Sequence, residues 1–267
     1  RNYYPNRTDI SSDDQTYLHE CEKRTIDRAD AIVLPTQWAA QSVLEHYGAS
    51  PEKVHVVEWG ANVGELPEVA TPRKLPADRP LRFLFVGLDW ERKGGDIAVD
   101  AVQQLNSYGI ASELTVVGCR VPSTCRHPWV NVVRRLDRAN PTDSQELDEL
   151  FLNSDIYFHP ARAECYGHAL CEAQAFGMPV VSTDTGGISQ CVRDGVTGIL
   201  LPAGSSSEAY AQRIAELVSD AGRYANMSVH AAAEFAARLN WERWTTRVVE
   251  IFQKLAGHPV PDVTAVQ

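Results

Sequence analysis

From residue 81 onwards, short apolar runs alternate with segments of helical periodicity. The apolar runs predict strands at 81–87, 112–118, 129–136, 155–160, 179–184 and 197–202. The intervening segments predict helices at 93–109, 143–154 and 168–177. Strands that are apolar along their whole length belong to parallel sheets with helices on both faces. The pattern therefore predicts an α/β fold with a doubly wound parallel sheet.

The flanking regions have a different pattern. Upstream, it predicts a helix at 12–30, a strand at 31–36, a helix closed by Gly48 at 37–48, and a strand at 53–60. Residues 61–80 hold four prolines and little periodicity, which is typical of a linker. Beyond residue 202 the periodicity is helical, including the segment WERWTTRVVEIFQKL.

The composition of the chain limits which kinds of molecule it is expected to bind. The 267 residues include 25 Lys and Arg against 35 Asp and Glu, for a net charge of −10. This balance argues against nucleic acid as a general partner, but a nucleotide needs only one or two local cations. The six cysteines form no C-x-x-C motif, which favours reduced thiols in a cytoplasmic protein.

Two glutamates stand around a glycine turn after the strand at 155–160. Glu164 precedes Gly167, and Glu172 lies in the first turns of the following helix. A glycine and a helix N-terminus suit a phosphate-bearing ligand, and a carboxylate there can accept hydrogen bonds from ribose hydroxyls. A glutamate on a helix is otherwise a solvated residue. Gly186 and Gly187 follow the next strand, and they indicate either a tight turn or a close approach to a sugar or phosphate.

Two cations follow the strand at 81–87, which ends in Gly87. Arg92 and Lys93 are at the start of the next predicted helix, where positive charge opposes the helix dipole. Their placement is better explained if they neutralise a bound diphosphate, although solvated surface positions remain the alternative. Trp90, which lies between Gly87 and these cations, is expected to pack against the fold.

Taken together, these segments resemble a known family. The run AECYGHALCEAQAFGMPVV with its E-x7-E spacing, the following TGG, and VRDGVTGILL resemble the nucleotide-binding domain of retaining glycosyltransferases of the GT-B fold, family 4. The upstream FVG…KG and ADAIVLPT…YG…KVHVVEWGAN are similar to the same family. The resemblance covers roughly residues 25 to 205.

The resemblance implies a role for each matching residue. Glu164 would contact the donor sugar near its anomeric centre, Glu172 would hold the ribose, and Lys93 would contact the diphosphate. The remaining expected binding residues are Gly87, Arg92, Arg135, Leu136, Gly167, His168, Ala169, Gly186 and Gly187; among them, Arg135 and Leu136 would border the base. The family often has an arginine where this chain has Leu88, so Arg92 is the candidate second cation.

The resemblance also implies two Rossmann-like lobes. Residues 1–60 would be the last part of an acceptor lobe, 61–80 a linker, 81–236 the donor-binding domain, and 237–257 a helix crossing back to the first lobe. The start RNYYPNRTDI and the short first lobe predict the C-terminal portion of a longer enzyme.

The implied reaction is transfer of a sugar from a nucleotide diphosphate to a hydroxyl on a saccharide, lipid-linked or other acceptor. Configuration would be retained, and neither a metal nor a cofactor would take part. A non-catalytic nucleotide-sugar binding module, dependent on a separate acceptor lobe, is the main alternative, and a nucleotide-sugar epimerase is another. The expected location is cytoplasmic, with peripheral attachment at the inner face of a membrane as a variant.

Overall fold

The computed structural model describes residues 10–64 and 72–257. Its strands are β1 (Ile32–Leu34), β2 (Val54–Val56), β3 (Leu81–Val86), β4 (Ser112–Val117), β5 (Val130–Val133), β6 (Ile156–His159), β7 (Val180–Asp184) and β8 (Gly198–Pro202). Its helices are α1 (Ser12–Arg28), α2 (Gln37–Tyr47), α3 (Gly95–Ser107), α4 (Pro141–Asn153), α5 (His168–Ala175), α6 (Ile188–Cys191), α7 (Ser207–Val218), α8 (Ala221–Arg238) and α9 (Trp241–Ala256).

The chain divides into two compact units. The smaller comprises the residues up to Trp59 together with those from Trp241, and the larger runs from Gly60 to Asn240. In the smaller unit, β1 pairs in parallel with β2. Helix α9 belongs to this unit and begins at Trp241, whereas the predicted crossing helix began at 237. That residues 1–60 are part of an acceptor lobe stays a prediction.

The larger unit contains a six-stranded parallel sheet in the order β5-β4-β3-β6-β7-β8. Strands β3, β4 and β5 follow one another from the middle of the sheet to one edge, and β6, β7 and β8 follow one another from the middle to the other edge. This is the doubly wound order of a Rossmann fold, in which the chain returns to the middle of the sheet halfway through. The predicted α/β fold with a doubly wound parallel sheet is confirmed.

Aromatic side chains fill the core beneath this sheet. Phe83 on β3 and Phe158 on β6 lie with ring centroids 5.9 Å apart. Tyr210 of α7 packs 5.6 Å from Phe158, and its hydroxyl bonds to Thr183 Oγ1 at 2.7 Å. All four residues of β6 are buried, as expected for a central parallel strand. The apolar runs of the sequence are therefore apolar because both of their faces are covered.

Several predicted boundaries were wrong by a few residues. The helix predicted from 93 begins at Gly95, because the preceding residues form a turn. The strand predicted at 129–136 ends at Val133, and α6 was not predicted. Helix α4 begins at Pro141, two residues early, because the Asn140 side chain caps it by accepting hydrogen bonds from the N–H groups of its first turn.

Part of the predicted linker at 61–80 is fixed to the larger unit. The Arg73 guanidinium donates to the carbonyl oxygens of Phe151 at 2.8 Å and Phe176 at 2.9 Å, and it also bonds to that of Ser154. Its backbone N–H donates to Ser228 Oγ at 3.0 Å. Residues 65–71 of the predicted linker lie outside the described residues.

Candidate functional site: a charged cluster at the switch point of the sheet

The middle of the sheet creates the site. Strands β3 and β6 are neighbours, but the connections that follow them lead toward opposite edges. In open α/β sheets, ligands bind outside the carboxyl ends of the strands at such a switch point. The loop after β3 carries Lys93, and the loop after β6 carries Glu164. Two of the predicted site residues, 71 positions apart in the chain, are thereby brought together.

The loop after β3 is a tight turn that packs against the loop after β6. The Asp89 carboxylate accepts a hydrogen bond from the Arg92 backbone N–H at 3.1 Å and another from its Nε at 3.3 Å. Gly94 has φ +74°, and a Cβ there would collide with the Pro160 carbonyl oxygen. A Cβ on Gly95 would meet the ring of Trp90, which packs against the core as predicted. Glycine is needed where the two loops touch.

One carboxylate oxygen is the centre of the cluster. Lys93 Nζ contacts Glu164 Oε2 directly, His159 Nε2 lies 3.3 Å from it, and Arg92 Nη1 lies 3.8 Å from it. Arg92 Nη1 also donates to the Ala163 carbonyl oxygen at 3.0 Å. Glu164 is only 7% exposed, and the Lys93 side chain is 14% exposed. Neither residue is a solvated surface charge, the reading that the sequence left open.

The surroundings set the charge of these groups. Burial alone would raise the pKa of Glu164, but the hydrogen bond with His159 and the charge of Lys93 outweigh it and hold that pKa well below its usual range. Burial, followed by the nearby Lys93 charge, lowers the pKa of His159 to about 4. At neutral pH the cluster therefore contains an ionised carboxylate and a neutral imidazole.

Helix α5 begins beside this cluster. Gly167 at its N-cap has φ +93°, and a Cβ there would lie 2.7 Å from Leu170 Cδ1. His168 and Ala169 follow in the first turn, where backbone N–H groups have no carbonyl partner within the helix and the dipole is positive. His168 Nδ1 lies 3.3 Å from the Gly60 carbonyl oxygen. The predicted glycine turn is present, and its contact with phosphate or sugar stays a prediction.

Glu172 faces a basic residue that the sequence analysis did not identify. Arg138 Nη2 lies 3.4 Å from Glu172 Oε2, and Arg138 Nη1 also contacts Asp148. Glu172 is 6% exposed, so it is not a solvated helix residue. Burial raises the pKa of Glu172, and the Arg138 charge opposes that rise. The arrangement leaves a carboxylate one helical turn into α5, where a ribose was predicted to bind.

Arg135 and Leu136 lie in the loop after β5. The sequence analysis placed them at the end of a strand, but β5 ends at Val133. Arg135 is exposed and Leu136 is half-buried, and the same loop continues to Arg138. Their position beside the base stays a prediction.

The glycines after β7 are part of a turn held by the site. Gly186 has φ +58°, and the Gly187 N–H donates to the Glu164 carbonyl oxygen at 3.2 Å. That N–H is therefore used within the protein. The tight-turn reading is observed, and contact with a ligand stays a prediction.

Gly87 and Leu88 lie at the entrance to the loop after β3. A Cβ on Gly87 would come within 3.2 Å of Lys93 Cγ, so a larger residue would crowd the lysine. Leu88, which stands where the family often has an arginine, is 63% exposed. The Arg92 guanidinium lies near the Glu164 carboxylate and is therefore part of the cluster, and its role as the second cation on the diphosphate stays a prediction.

His159 and Arg138 are the site residues that sequence reasoning missed. His159 is the one imidazole in the run IYFH of β6, where the other side chains are aliphatic or aromatic, and that contrast was the available signal. Arg138 had no comparable signal, since its loop contains several other arginines.

Two further properties concern the described residues as a set. Across 10–64 and 72–257, no group of three or more His, Cys, Asp or Glu side chains is arranged to hold a metal ion. None of the helices in those two stretches has the length and apolar character needed to cross a membrane. In addition, none of the six cysteines, all of which lie in those stretches, forms a disulfide.

Comparison with known proteins leads to the glycosyltransferases, the class of enzyme that the sequence resembles. A profile of the family described as Glycosyl transferases group 1 matches residues 80–220. A D-inositol 3-phosphate glycosyltransferase of Corynebacterium aurimucosum is 30% identical over 262 residues, which cover 92% of this chain and 62% of that protein. The protein of the same name from Corynebacterium diphtheriae is 30% identical over 250 residues, 87% of this chain and 58% of that protein. The chain thus spans about three fifths of the length of these relatives.

Solved structures have the same fold. Anabaena Alr3699/HepE in complex with UDP-glucose superposes with a TM-score of 0.69 at 18% identity, over 92% of this chain and 70% of that one. A glycosyltransferase from Rickettsia africae superposes with a TM-score of 0.68 at 18% identity, over 94% of this chain and 69% of that one. At this level of identity the likeness establishes the fold.

Proposed function

The chain belongs to the group 1 glycosyl transferases, and from this membership we propose that it takes part in transferring a glycosyl group from a nucleotide-diphosphate sugar to an acceptor hydroxyl. We further propose that the transfer retains the configuration of the anomeric carbon and uses neither a metal ion nor a cofactor. The observation that carries the proposal is the meeting of Lys93, Arg92 and Glu164 at the switch point of the sheet.

Stabilising the departing diphosphate is the first chemical task. As the glycosidic bond breaks, negative charge develops on the diphosphate, and preorganised cations and N–H dipoles lower the energy of that state. Lys93 and Arg92 supply the cations in this proposal, and the first turn of α5 supplies the N–H groups. These groups would do the work that a divalent cation does in other transferases.

Holding the sugar and the ribose is the second task. Glu164 is an ionised carboxylate that would orient hydroxyl groups of the donor sugar and stabilise positive charge on its anomeric carbon. Glu172, held by Arg138, would accept hydrogen bonds from the ribose. Because Glu172 is then occupied with the ribose, a double displacement through that carboxylate is disfavoured, and attack from the face of the departing diphosphate accounts for retention.

The names of the relatives suggest which acceptor to test first. Both Corynebacterium proteins are called D-inositol 3-phosphate glycosyltransferases. We propose a phosphorylated cyclitol as the first acceptor class. The donor is to be chosen from UDP-, GDP- and ADP-sugars by the rise in melting temperature that specific binding produces.

The test combines donor binding, transfer and one pair of variants. The chain is incubated with the best donor, inositol 3-phosphate and EDTA, and the anomeric configuration of the product is read by NMR. We expect transfer that survives EDTA and retains the donor configuration. Lys93→Met should weaken binding of the nucleoside diphosphate by about 10- to 100-fold and leave nucleoside binding within about twofold, since a lost charge-assisted contact has that magnitude.

The matched control for Lys93→Met is Lys74→Met, which removes the same charge from an exposed position in the same unit. Equal losses of nucleoside and diphosphate binding in Lys93→Met would contradict the phosphate assignment. Donor binding without turnover would instead favour the binding module, and a metal requirement or an inverted product would reject that part of the mechanism.

A further inference from the structure

His159 occupies a rigid position at the carboxyl end of β6. Its imidazole stacks on the ring of Tyr157, with centroids 5.8 Å apart and planes 19° apart, and the centroid of the Phe85 ring lies 6.1 Å away. The His159 carbonyl oxygen accepts a hydrogen bond from Ser182 Oγ at 2.6 Å. The residue is 1% exposed. Ring and backbone are thus both held before any ligand is considered.

The two ring nitrogens have different surroundings. Nε2 lies 3.3 Å from Glu164 Oε2, whereas Nδ1 is buried and, among the residues that the structure describes, has no hydrogen-bond partner. A neutral imidazole carries one N–H and one bare nitrogen. A proton on Nε2 gives the carboxylate a donor, while a proton on Nδ1 would bury an unpaired N–H and point a lone pair at an anion. The geometry therefore selects the Nε2–H form.

We infer that His159 is a positioning residue, which holds the Glu164 carboxylate in place for the donor sugar through its Nε2–H. The inference rests on the proposed function, in which Lys93 and Arg92 turn toward the diphosphate. A cation shared between a carboxylate and a diphosphate holds the carboxylate less firmly. The His159 imidazole is 1% exposed at the end of β6, and its Nε2 lies 3.3 Å from the Glu164 carboxylate. It is not one of the groups proposed to turn toward the diphosphate, so it keeps its bond to the carboxylate when the donor binds.

Three variants separate this role from simple packing. His159→Phe keeps an aromatic ring beside Phe85 and Tyr157 but has no hydrogen-bond donor. His159→Gln loses the ring but places an amide N–H at about the reach of Nε2. His159→Asn has the same amide on a shorter side chain and does not reach Glu164. A packing role predicts that Phe is the best replacement, whereas a positioning role predicts that Gln is.

The experiment is a double-mutant cycle in the full chain, with UDP and UDP-glucose as probes. The readout is the dissociation constant of UDP divided by that of UDP-glucose, because this ratio reports what the sugar contributes to binding. Where turnover is measurable, kcat is a second readout. We expect His159→Phe and His159→Asn to lower that ratio roughly tenfold, the effect of one lost hydrogen bond to a charged group. The dissociation constant of UDP itself should stay within about twofold, and His159→Gln should recover most of the ratio.

The Glu164→Gln background decides between the two roles. A residue that acts through the Glu164 carboxylate has no further effect once that carboxylate is gone, so His159→Phe should leave the ratio unchanged there. The positioning role is overturned if His159→Phe has the same ratio as the unmodified protein. It is also overturned if His159→Phe lowers the ratio as much in the Glu164→Gln background as in the unmodified background.

A ligand-free measurement keeps the inference separate from the proposed function. In the chain with ¹⁵N-labelled histidine, the signal of His159 is assigned by its absence in His159→Gln. We expect a neutral ring with its proton on Nε2 at pH 7. A proton on Nδ1, or a charged ring, would overturn the inference even if UDP-glucose binds. If none of the UDP-, GDP- and ADP-sugars binds while the Nε2–H form is observed, it is the proposed function that fails.

Discussion

Glu164 remains ionised although it is buried, because the side chains around it supply what water would otherwise provide. Lys93 neutralises its charge, and His159 donates a hydrogen bond without adding a second charge. A buried carboxylate without such partners would be protonated at neutral pH. The chemistry of the site therefore depends on groups that stand 5 and 71 positions away from Glu164 in the chain.

The buried imidazole predicts a specific loss of stability in mild acid. In the unfolded chain His159 takes up a proton near pH 6.5, but in the folded protein its pKa is about 4. Between these values the unfolded state binds more protons, so the free energy of unfolding falls as the pH falls. At about 1.4 kcal/mol per pH unit the loss is on the order of 2–3 kcal/mol. Urea unfolding at pH 7, 5.5 and 4.5 measures it.

His159→Gln should reduce that slope, because the amide does not titrate. The part of the slope that remains comes from His168, whose pKa is also lowered by burial. His230→Gln is the control, since His230 is exposed on α8, and it should leave the slope unchanged. Below about pH 4.5 a second loss of unfolding free energy is expected in the unmodified chain and in His230→Gln. The folded state holds the pKa of Glu164 below its unfolded value, so the stability that the ionised carboxylate contributes is complete above the unfolded pKa and is lost as the pH falls toward the folded one. An unchanged slope in His159→Gln would contradict the buried neutral imidazole.

The sequence predicted Lys93, Arg92 and Glu164 of this cluster but not His159. Lys93 and Glu164 were identified because each follows a strand that ends near a glycine, and strand ends in a parallel sheet share an edge. His159 was read as part of an apolar strand, since nothing in the run IYFH indicates which neighbour its ring faces. Arg138 was missed for the same reason, because its contact with Glu172 depends on the order of strands in the sheet.

At the scale of single elements, the turn between β3 and α3 is the most constrained. It places two cations while its glycines lie against Pro160 and Trp90. Its shape explains why α3 starts two residues later than the periodicity predicted. A turn with φ +74° at Gly94 is not helical, and helical spacing of apolar residues does not show where such a turn ends.

Gly94→Ala tests how much the close contact of the two loops matters. Gly109→Ala is the matched control, because Gly109 also has positive φ, at +83°, but a Cβ there has nothing within 4 Å. We expect Gly109→Ala to cost about 1–2 kcal/mol, the penalty for a left-handed alanine, and Gly94→Ala to cost clearly more. Thermal unfolding measures both.

Gly94→Ala should also weaken binding of a nucleoside diphosphate, because relief of the collision moves the backbone next to Lys93. Gly109→Ala should leave that binding unchanged. Equal losses of stability in the two variants would mean that the loops can separate without cost, and the turn would then not be what places the cations.

At the scale of the whole chain, the sequence predicted that the sheet is parallel, but it did not predict the order of the strands in that sheet. Apolar runs reveal parallel strands because burial on both faces leaves no polar alternation. The order β5-β4-β3-β6-β7-β8 instead depends on the direction of each crossover, which no local pattern records. The resemblance to a family supplied the expectation of a Rossmann-like lobe, and the structure supplied the switch point.

This architecture predicts a one-sided response to ligand. Hydrogen exchange with and without UDP should show slower exchange in the loops that follow β3 and β6 and in the first turn of α5, since these meet at one edge of the sheet. The opposite edge is the control. There, a groove of about 360 Å³ is lined by residues that include Leu81, Ile110 and Val218, and its exchange should not change. Protection at that groove, or spread evenly over the sheet, would contradict the site.

The contact between Lys93 and Glu164 has a consequence for selectivity. The carboxylate acts as an internal counter-ion, so the site attracts a stray phosphate or sulfate less than an isolated lysine would. An anion that draws Lys93 away leaves the carboxylate without its partner, and that cost is recovered only if the same molecule also offers hydroxyl groups to Glu164. In the proposed function, binding of the donor is therefore an exchange of partners, and it would favour a ligand that carries anion and sugar together over either one alone.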